Sequence, residues 1–449
     1  FEQLKELQEK IPRPHQTGRN NVDCDWCDDV WESKNCYLNR SFINCENVSY
    51  GYRNFNCRNS LDIAYCYDAE FSYDTVFCFK ANRLRHAFDC SNCLDSAFLY
   101  DCTNCQDCFM SWNLRDKKYY ILNQPYSKEE YNEKLKQYNL GSRKVIRELQ
   151  EDFKKHIREE AIHRENFNIR SESSTGNFLT NCDKCENGFH WENSQNCYNM
   201  VRGGKAKNLI DCVGCFDNEL CGGSIGCAYG GYNLKYCSWC TTCRDSEYLD
   251  LCLDCRDCFG CVGLKKKKFC ILNKQYTEED YKKLKTEIVD SMKKDGSYGR
   301  LFPYNMAYSG YNFTTAQIYF PDTKVNVGKF GALWEDVDDS AVSGINPENL
   351  PDDIKDVDDD ITSQALVCPK TGYRFNIAKR ELDLYRELDI PLPIYHPDYR
   401  TLQRFEQMKV MTTFKYNCAI CQKEIQAHYP KDWGYKKVVC ISCYQKQIY

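Results

Sequence analysis

Long apolar runs are missing. No stretch of about 18 apolar residues occurs, so no membrane-spanning helix is expected. The opening FEQLKELQEKIPRP has neither the apolar core nor the small-residue cleavage site of a secretory signal. Histidine is scarce, with seven in 449 residues and none in an H-E-x-x-H pair. G-x-S-x-G is absent, and MVRGGKAKN at 200–208 lacks the G-x-x-x-x-G-K-[ST] spacing of a phosphate loop. With these signatures missing, the chain reads as a non-catalytic protein.

Cysteine and tyrosine are what the chain has in excess: 32 Cys and 33 Tyr, with 23 Phe. Disulfide-rich secreted domains are usually small, and this chain is long. Repeated C-x-x-C pairs in a long chain lean towards reduced thiols and metal, hence a cytoplasmic protein. An exported, disulfide-linked structural protein is the opposing reading.

The cysteines keep a three-residue phase. All twelve from Cys24 to Cys108 stand at multiples of three. From Cys182 to Cys227 they stand one short of a multiple, and from Cys237 to Cys270 the first phase returns after a one-residue slip. Cys24, Cys45 and Cys66 also lie 21 apart, as do Cys36, Cys57 and Cys78. Helices repeat near 3.6 and strands at 2, so a period of three points to short strands with corners at fixed offsets. The 21-residue spacing reads as one solenoid row stacked on the next. Asn and Asp beside the cysteines (KNC, INC, FNC, FDC) tolerate turn conformations.

The second repeat region copies the first. CSNCLDSAFLYDCTNCQDCF at 90–109 matches CTTCRDSEYLDLCLDCRDCF at 240–259, and YYILNQPYSKEEY at 119–131 matches FCILNKQYTEEDY at 269–281, both at an offset of 150. Ser127-x-x-Glu130 is a capping box and Thr277-x-x-Asp280 a weaker form, so each copy is expected to end in a helix over its last rung. The expected fold is mainly β: a duplicated cysteine-rich β-solenoid with capping helices and a C-terminal zinc ribbon. Its parts read as an N-terminal helix or arm (1–23), a first solenoid (24–126), a connecting helix (127–170) and a second solenoid (171–276). A capping helix with an aromatic segment (277–334), an acidic linker (335–361) and the zinc-ribbon domain (362–449) follow.

The sharpest motif is Cys418-x2-Cys421, an 18-residue spacer, then Cys440-x2-Cys443. Two such knuckles suit tetrahedral zinc, and four thiolates leave no open coordination position, so this zinc is expected to be structural. His428, inside the spacer, is expected at the surface. CLDCRDCFGC, with Cys252, Cys255, Cys258 and Cys261, and the preceding Cys237, Cys240 and Cys243 are weaker metal candidates. Packed core thiols come first for these seven, zinc at some pairs second and an iron–sulfur cluster third. The ferredoxin run C-x2-C-x2-C-x3-C-P differs in its last gap, and the first copy has Ser111 where Cys261 stands.

Net charge is −5, yet residues 335–361 hold eleven Asp/Glu against one Lys, which leaves the remainder positive. After Cys368 there are fourteen Lys/Arg against eight Asp/Glu, which suits a solvated basic surface or contact with RNA.

The ordered motifs SKNCYL, CRDCFGCVGL…CILNKQYTEEDY, GRLFP…YNFTTAQIYFP, NLPDDIKDVDDDI, CPKTGYRFNIAKRELDLYRELDIPLPIYHPDYR and CAICQKEIQAHYP…VVCISCY carry a family likeness. Together they resemble a family of large cysteine-repeat, zinc-ribbon proteins of candidate-phyla (Patescibacteria-like) bacteria. The resemblance implies a bacterial source and a terminal zinc ribbon on Cys418, Cys421, Cys440 and Cys443; it implies architecture and not activity. It also implies a second cysteine knuckle near HPDYR in some relatives, where this chain has His396 and Tyr399 and leaves Cys368 alone. The expected function is a zinc-binding scaffold in a macromolecular assembly, ribosome- or RNA-associated, against an iron–sulfur or thiol-based redox or metal-handling protein.

Overall fold

The computed structural model describes residues 1–13, 17–227, 229–336, 343–407 and 411–449. The chain divides into two compact units. One comprises Phe1–Pro14, Asn166–Asp336 and Val410–Thr413; the other comprises His15–Glu165, Val337–Lys409 and Phe414–Tyr449. Each is built on a parallel β-solenoid.

The turn of the solenoid is twelve residues, not 21. Gly18 pairs with Val30, Asp28 with Arg40, Arg40 with Tyr52, and the same step carries the sheet to Cys108↔Tyr120. Each turn has four sides of three residues. The first residue of a side faces out, the second is left-handed and the third points inward. Left-handed φ recurs at every third residue, as at Asn35, Leu38, Ser41, Asn44 and Asn47, all between 50° and 55° or at 60°. Asn and Asp adopt this conformation at least cost among residues with a side chain, which is why they stand directly before the cysteines. Twenty-one is one turn plus three sides, so Cys24 and Cys45 sit on different sides of successive turns.

Two of every three backbone N–H groups bond between turns. Val22 N–H donates to Ser33 O of the next turn at 3.0 Å, and Asn35 N–H donates back to Val22 O at 2.9 Å. The third N–H belongs to the inward residue and is buried. Where the inward residue twelve positions earlier is polar, its side chain accepts this N–H: Ser33 Oγ that of Cys45 (3.0 Å), Asn54 Oδ1 that of Cys66 (2.8 Å), Cys45 Sγ that of Cys57 (3.4 Å). Inward thiols in turn donate to carbonyls, Cys66 Sγ to Ala64 O at 3.4 Å and to Thr75 O at 3.5 Å. Thus Cys, Ser and Asn recur in the bore, among apolar residues such as Val48 and Leu84, because a buried amide there needs an acceptor and the carbonyls need a donor. Outside, left-handed asparagines form amide ladders, as in Asn44→Asn56→Asp68 at 2.8 and 3.0 Å.

In the second solenoid the twelve-residue step becomes thirteen at Glu219↔Tyr232, then returns to twelve at Tyr232↔Arg244. This insertion is the one-residue slip in the cysteine phase. Each solenoid closes in the same way. Lys118–Ile121 turns back on Gln124–Pro125, and Ser127 with Glu130 caps the helix Lys128–Leu135 reciprocally. Lys268–Ile271 turns back on Lys274–Gln275, and Thr277 caps the helix Glu278–Lys294. Beside the second solenoid lies the N-terminal helix Glu2–Lys10, with Leu4 buried beside Tyr248, Phe259 and Val262. Gly263 (φ 65°) leaves room for Ile11: a Cβ there would stand 2.7 Å from Ile11 Cγ2.

Residues 343–407 pack on the first solenoid. From residue 343 onward the acidic stretch, read as a linker, folds into short 3-10 turns that bury Ile354, Val357 and Ile361 against Tyr50 and Leu61; residues 337–342 lie outside the described residues. Arg400 and Arg404 pair with the fully buried Asp62, the latter at 2.8 Å, so part of the tail's positive charge is engaged inside the fold.

Candidate metal centre

The hairpin Phe414–Asn417 and Glu424–Ala427 carries the first knuckle at its turn. Cys418 N–H donates to Lys423 O (2.8 Å) and Gln422 N–H to Cys418 O (3.0 Å), with Gln422 left-handed at φ 61°. The second knuckle opens the helix Ile441–Ile448, with Cys440 as its N-cap and Cys443 in its first turn. The four sulfur atoms lie within 4.8 Å of one another, Cys421 Sγ and Cys440 Sγ being 3.8 Å apart. Burial alone would raise the Cys418 thiol, but N–H groups of Cys421, Cys440 and Ile420 outweigh it and bring it down to about 6. The Cys440 sulfur, ahead of burial, pushes Cys443 up to about 12. The first thiolate is thus favoured and later ones oppose it, which is the condition a shared cation relieves.

The centre is tied to the first solenoid. Strand Lys437–Val439 pairs in parallel with Ile162–Arg164, and Ile441 N–H donates to Glu165 Oε1 at 2.9 Å. From the helix, Tyr444 OH donates to Asp101, and Arg115 donates to Tyr444 OH (2.6 Å) and to Asp101 Oδ1 (2.9 Å). Arg164 closes the cluster on Asp89. Burial, ahead of the neighbouring Asp101, pushes Asp89 up to about 7 despite Arg164. His163 packs flat on Tyr435 at 3.7 Å and meets Tyr100 OH at 2.8 Å, and burial lowers it to about 3, so it is neutral. His428, expected at the surface, is buried at 6% exposure. Nothing in the spacing pointed to Asp101, Arg115 or Tyr444, because Tyr444 lies more than 300 residues from the other two.

The seven weaker candidates are core thiols. Cys252, Cys255, Cys258 and Cys261 are the four inward residues of a single turn, one from each side; Cys240 and Cys243 occupy two sides of the turn before, and Cys237 the last side of the turn before that. All seven are buried. Each donates to the carbonyl two residues back, as Cys255 does to Leu253 O (3.4 Å) and Cys258 to Arg256 O (3.3 Å). Among the described residues, only the group at 418, 421, 440 and 443 brings three or more possible ligands together.

A second knuckle of the same form exists with a single thiol, Cys368. Cys368 N–H donates to Tyr373 O and Gly372 N–H to Cys368 O, both at 2.9 Å, with Gly372 left-handed at φ 75°. His396 is the N-cap residue of the helix Pro397–Glu406, the position Cys440 holds at the helix Ile441–Ile448. Burial raises the Cys368 thiol, but the His396 N–H, the Thr371 hydroxyl and the Lys370 N–H lower it overall, as their counterparts do at Cys418. Thr371, His396 and Tyr399 therefore stand where Cys421, Cys440 and Cys443 stand in the complete centre.

No protein-family model matches the chain, and no curated protein matches it.

Proposed function

We propose that the chain is a non-catalytic scaffold, stabilised by one zinc ion and working in the cytoplasm as part of a macromolecular assembly. The observation that carries this reading is the closed four-sulfur centre joined to a solenoid wall. Tetrahedral zinc with Zn–S of about 2.3 Å requires sulfurs about 3.8 Å apart, and the Cys421–Cys440 separation meets it. Cys418, Cys421, Cys440 and Cys443 would hold the ion, and with four protein ligands no position is left for a substrate. Its role is to cross-link the hairpin 414–427 to the helix 441–448 and so to seat both on the solenoid. Interior thiols that donate to carbonyls favour a reducing compartment, since a disulfide donates nothing. Rigid solenoid walls suit binding of large partners, and a ribosome or other RNA-containing particle is the first candidate.

Metal content and free-thiol count on protein purified without oxygen test this. One zinc per chain, no iron and free interior thiols are expected. Several irons per chain with visible absorption, or interior disulfides, would overturn it.

A further inference from the structure

Among the described residues, the first turn of the first solenoid leaves part of its edge unpaired. In later turns the left-handed residue's N–H and the inward residue's carbonyl both bond to the turn before. Leu38 N–H donates to Asp25 O at 3.1 Å, and Cys36 O accepts from Asp25 N–H at 3.0 Å. The corresponding groups of the first turn, Trp26 N–H and Cys24 O, have no hydrogen-bond partner among the described residues. They flank Asp25 as Leu38 N–H and Cys36 O flank Tyr37. One residue of an incoming strand, parallel to 24–26, would therefore find its N–H facing Cys24 O and its carbonyl facing Trp26 N–H. Trp26 is 79% exposed and Val22 54%, the only large apolar side chains of this turn left open among the described residues.

The charge around the edge selects the occupant. Asp23, Asp25 and Asp28 are exposed on this one turn and Asp29 is half-buried. Two copies meeting head to head would bring these carboxylates together, which like-charge pairing opposes. Head-to-tail stacking is blocked because the other end of this solenoid is closed by Gln124–Pro125 and the helix Lys128–Leu135. We propose that the edge takes up an extended, basic segment of a partner protein as an added strand, with a lysine or arginine beside Asp25 and Trp26 as its apolar and cation–π anchor. This names a partner class for the scaffold and rests on that reading; it does not depend on which metal the four cysteines hold.

The test uses the full chain and a fluorescent eight-residue peptide of alternating Lys and Val, read by anisotropy. Binding is expected to weaken about tenfold when alternate peptide amides are N-methylated, the loss expected for one to two backbone bonds. Asp25→Lys is expected to lose the Lys–Val peptide and to gain a Glu–Val one, with the circular dichroism spectrum unchanged. Trp26→Ala serves as a second variant and should weaken both peptides. Equal binding of the methylated and unmethylated peptides would overturn strand addition, and so would indifference to Asp25→Lys. A concentration-dependent dimer in sedimentation, abolished by Asp25→Lys with no peptide bound, would replace the partner strand by a second copy. A folded, zinc-loaded chain that ignores all the peptides sinks the edge proposal and leaves the scaffold reading in place.

Discussion

Ser60 accepts the N–H of Ser72 at 3.0 Å and donates to the carbonyl of Arg58 at 2.7 Å. It is fully buried, so neither partner has water to turn to. Ser60→Ala is expected to destabilise the first solenoid by about 1–3 kcal/mol, whereas Ser60→Cys keeps a donor and an acceptor and is expected to cost under about 1 kcal/mol. Urea midpoints of the two variants check this; equal losses would mean that volume alone decides. The same dual role explains what the sequence could reveal at this scale. The three-residue phase was legible because each inward residue follows a left-handed one, and Asn-Cys or Asp-Cys pairs mark both. The twelve-residue turn was harder to read because Cys, Ser, Asn, Ala, Val and Leu share the inward positions. Only where cysteine fills one side of four successive turns, at Cys66, Cys78, Cys90 and Cys102, does the true step stand in the open.

The elements of the C-terminal region depend on groups that a local reading cannot pair. In the helix Lys379–Glu387, Glu381 accepts from Tyr50 OH of the solenoid at 2.8 Å and from Tyr385 OH at 3.0 Å. Burial, opposed by Arg400, raises its carboxyl to about 7. The folded state therefore binds this proton more tightly than the unfolded chain. Its contribution is complete below the ordinary glutamate range of about 4.3 and is lost as pH rises towards 7. Stability of this region is expected to fall over that window in the natural chain, and Glu381→Gln should flatten the fall and match or exceed the natural chain at pH 7.5. Thermal melts at pH 5 and pH 7.5 check it; an unchanged slope would assign the pH dependence elsewhere. The knuckle at Cys368 belongs to the same scale. Its sequence, CPKTGYRF, holds one cysteine, so counting thiols could not reveal a hairpin folded like that at Cys418. If the two are equivalent, Thr371→Cys with His396→Cys and Tyr399→Cys should add one bound metal per chain by mass spectrometry under native conditions. No added metal would show that the likeness stops at the backbone.

Across the molecule, the solenoids and the metal centre draw on different sources of stability. Each solenoid is held by between-turn hydrogen bonds and by bores lined with residues such as Cys66, Leu84 and Leu99 or Cys240, Leu249 and Cys252, none of which needs a cation. The hairpin 414–427 is short, with Phe414 and Tyr416 only half-buried, and a two-stranded hairpin alone is marginal in water. Duplication and the terminal knuckles were legible in the sequence because both are repeats of residue type. The docking of the knuckles was not, because Asp101, Arg115 and Arg164 look like ordinary surface charges until Tyr444 covers them. This division predicts a graded response to metal removal. After chelation, amide exchange should rise across 414–448 and in the strand Ile162–Arg164 that pairs with Lys437–Val439. Exchange should stay slow in the strands Leu94–Tyr100 and Gln106–Trp112, which pair with each other inside the first solenoid. With the ribbon loosened, Tyr444 leaves Asp101, and the cluster of Asp89, Asp101, Arg115 and Arg164 opens to water. A loss of protection confined to 414–448 would mean that the docking survives without the ion. A loss that spread through both solenoids would mean that the ion supports the whole fold, contrary to the hydrogen bonding that each turn already has from its neighbours.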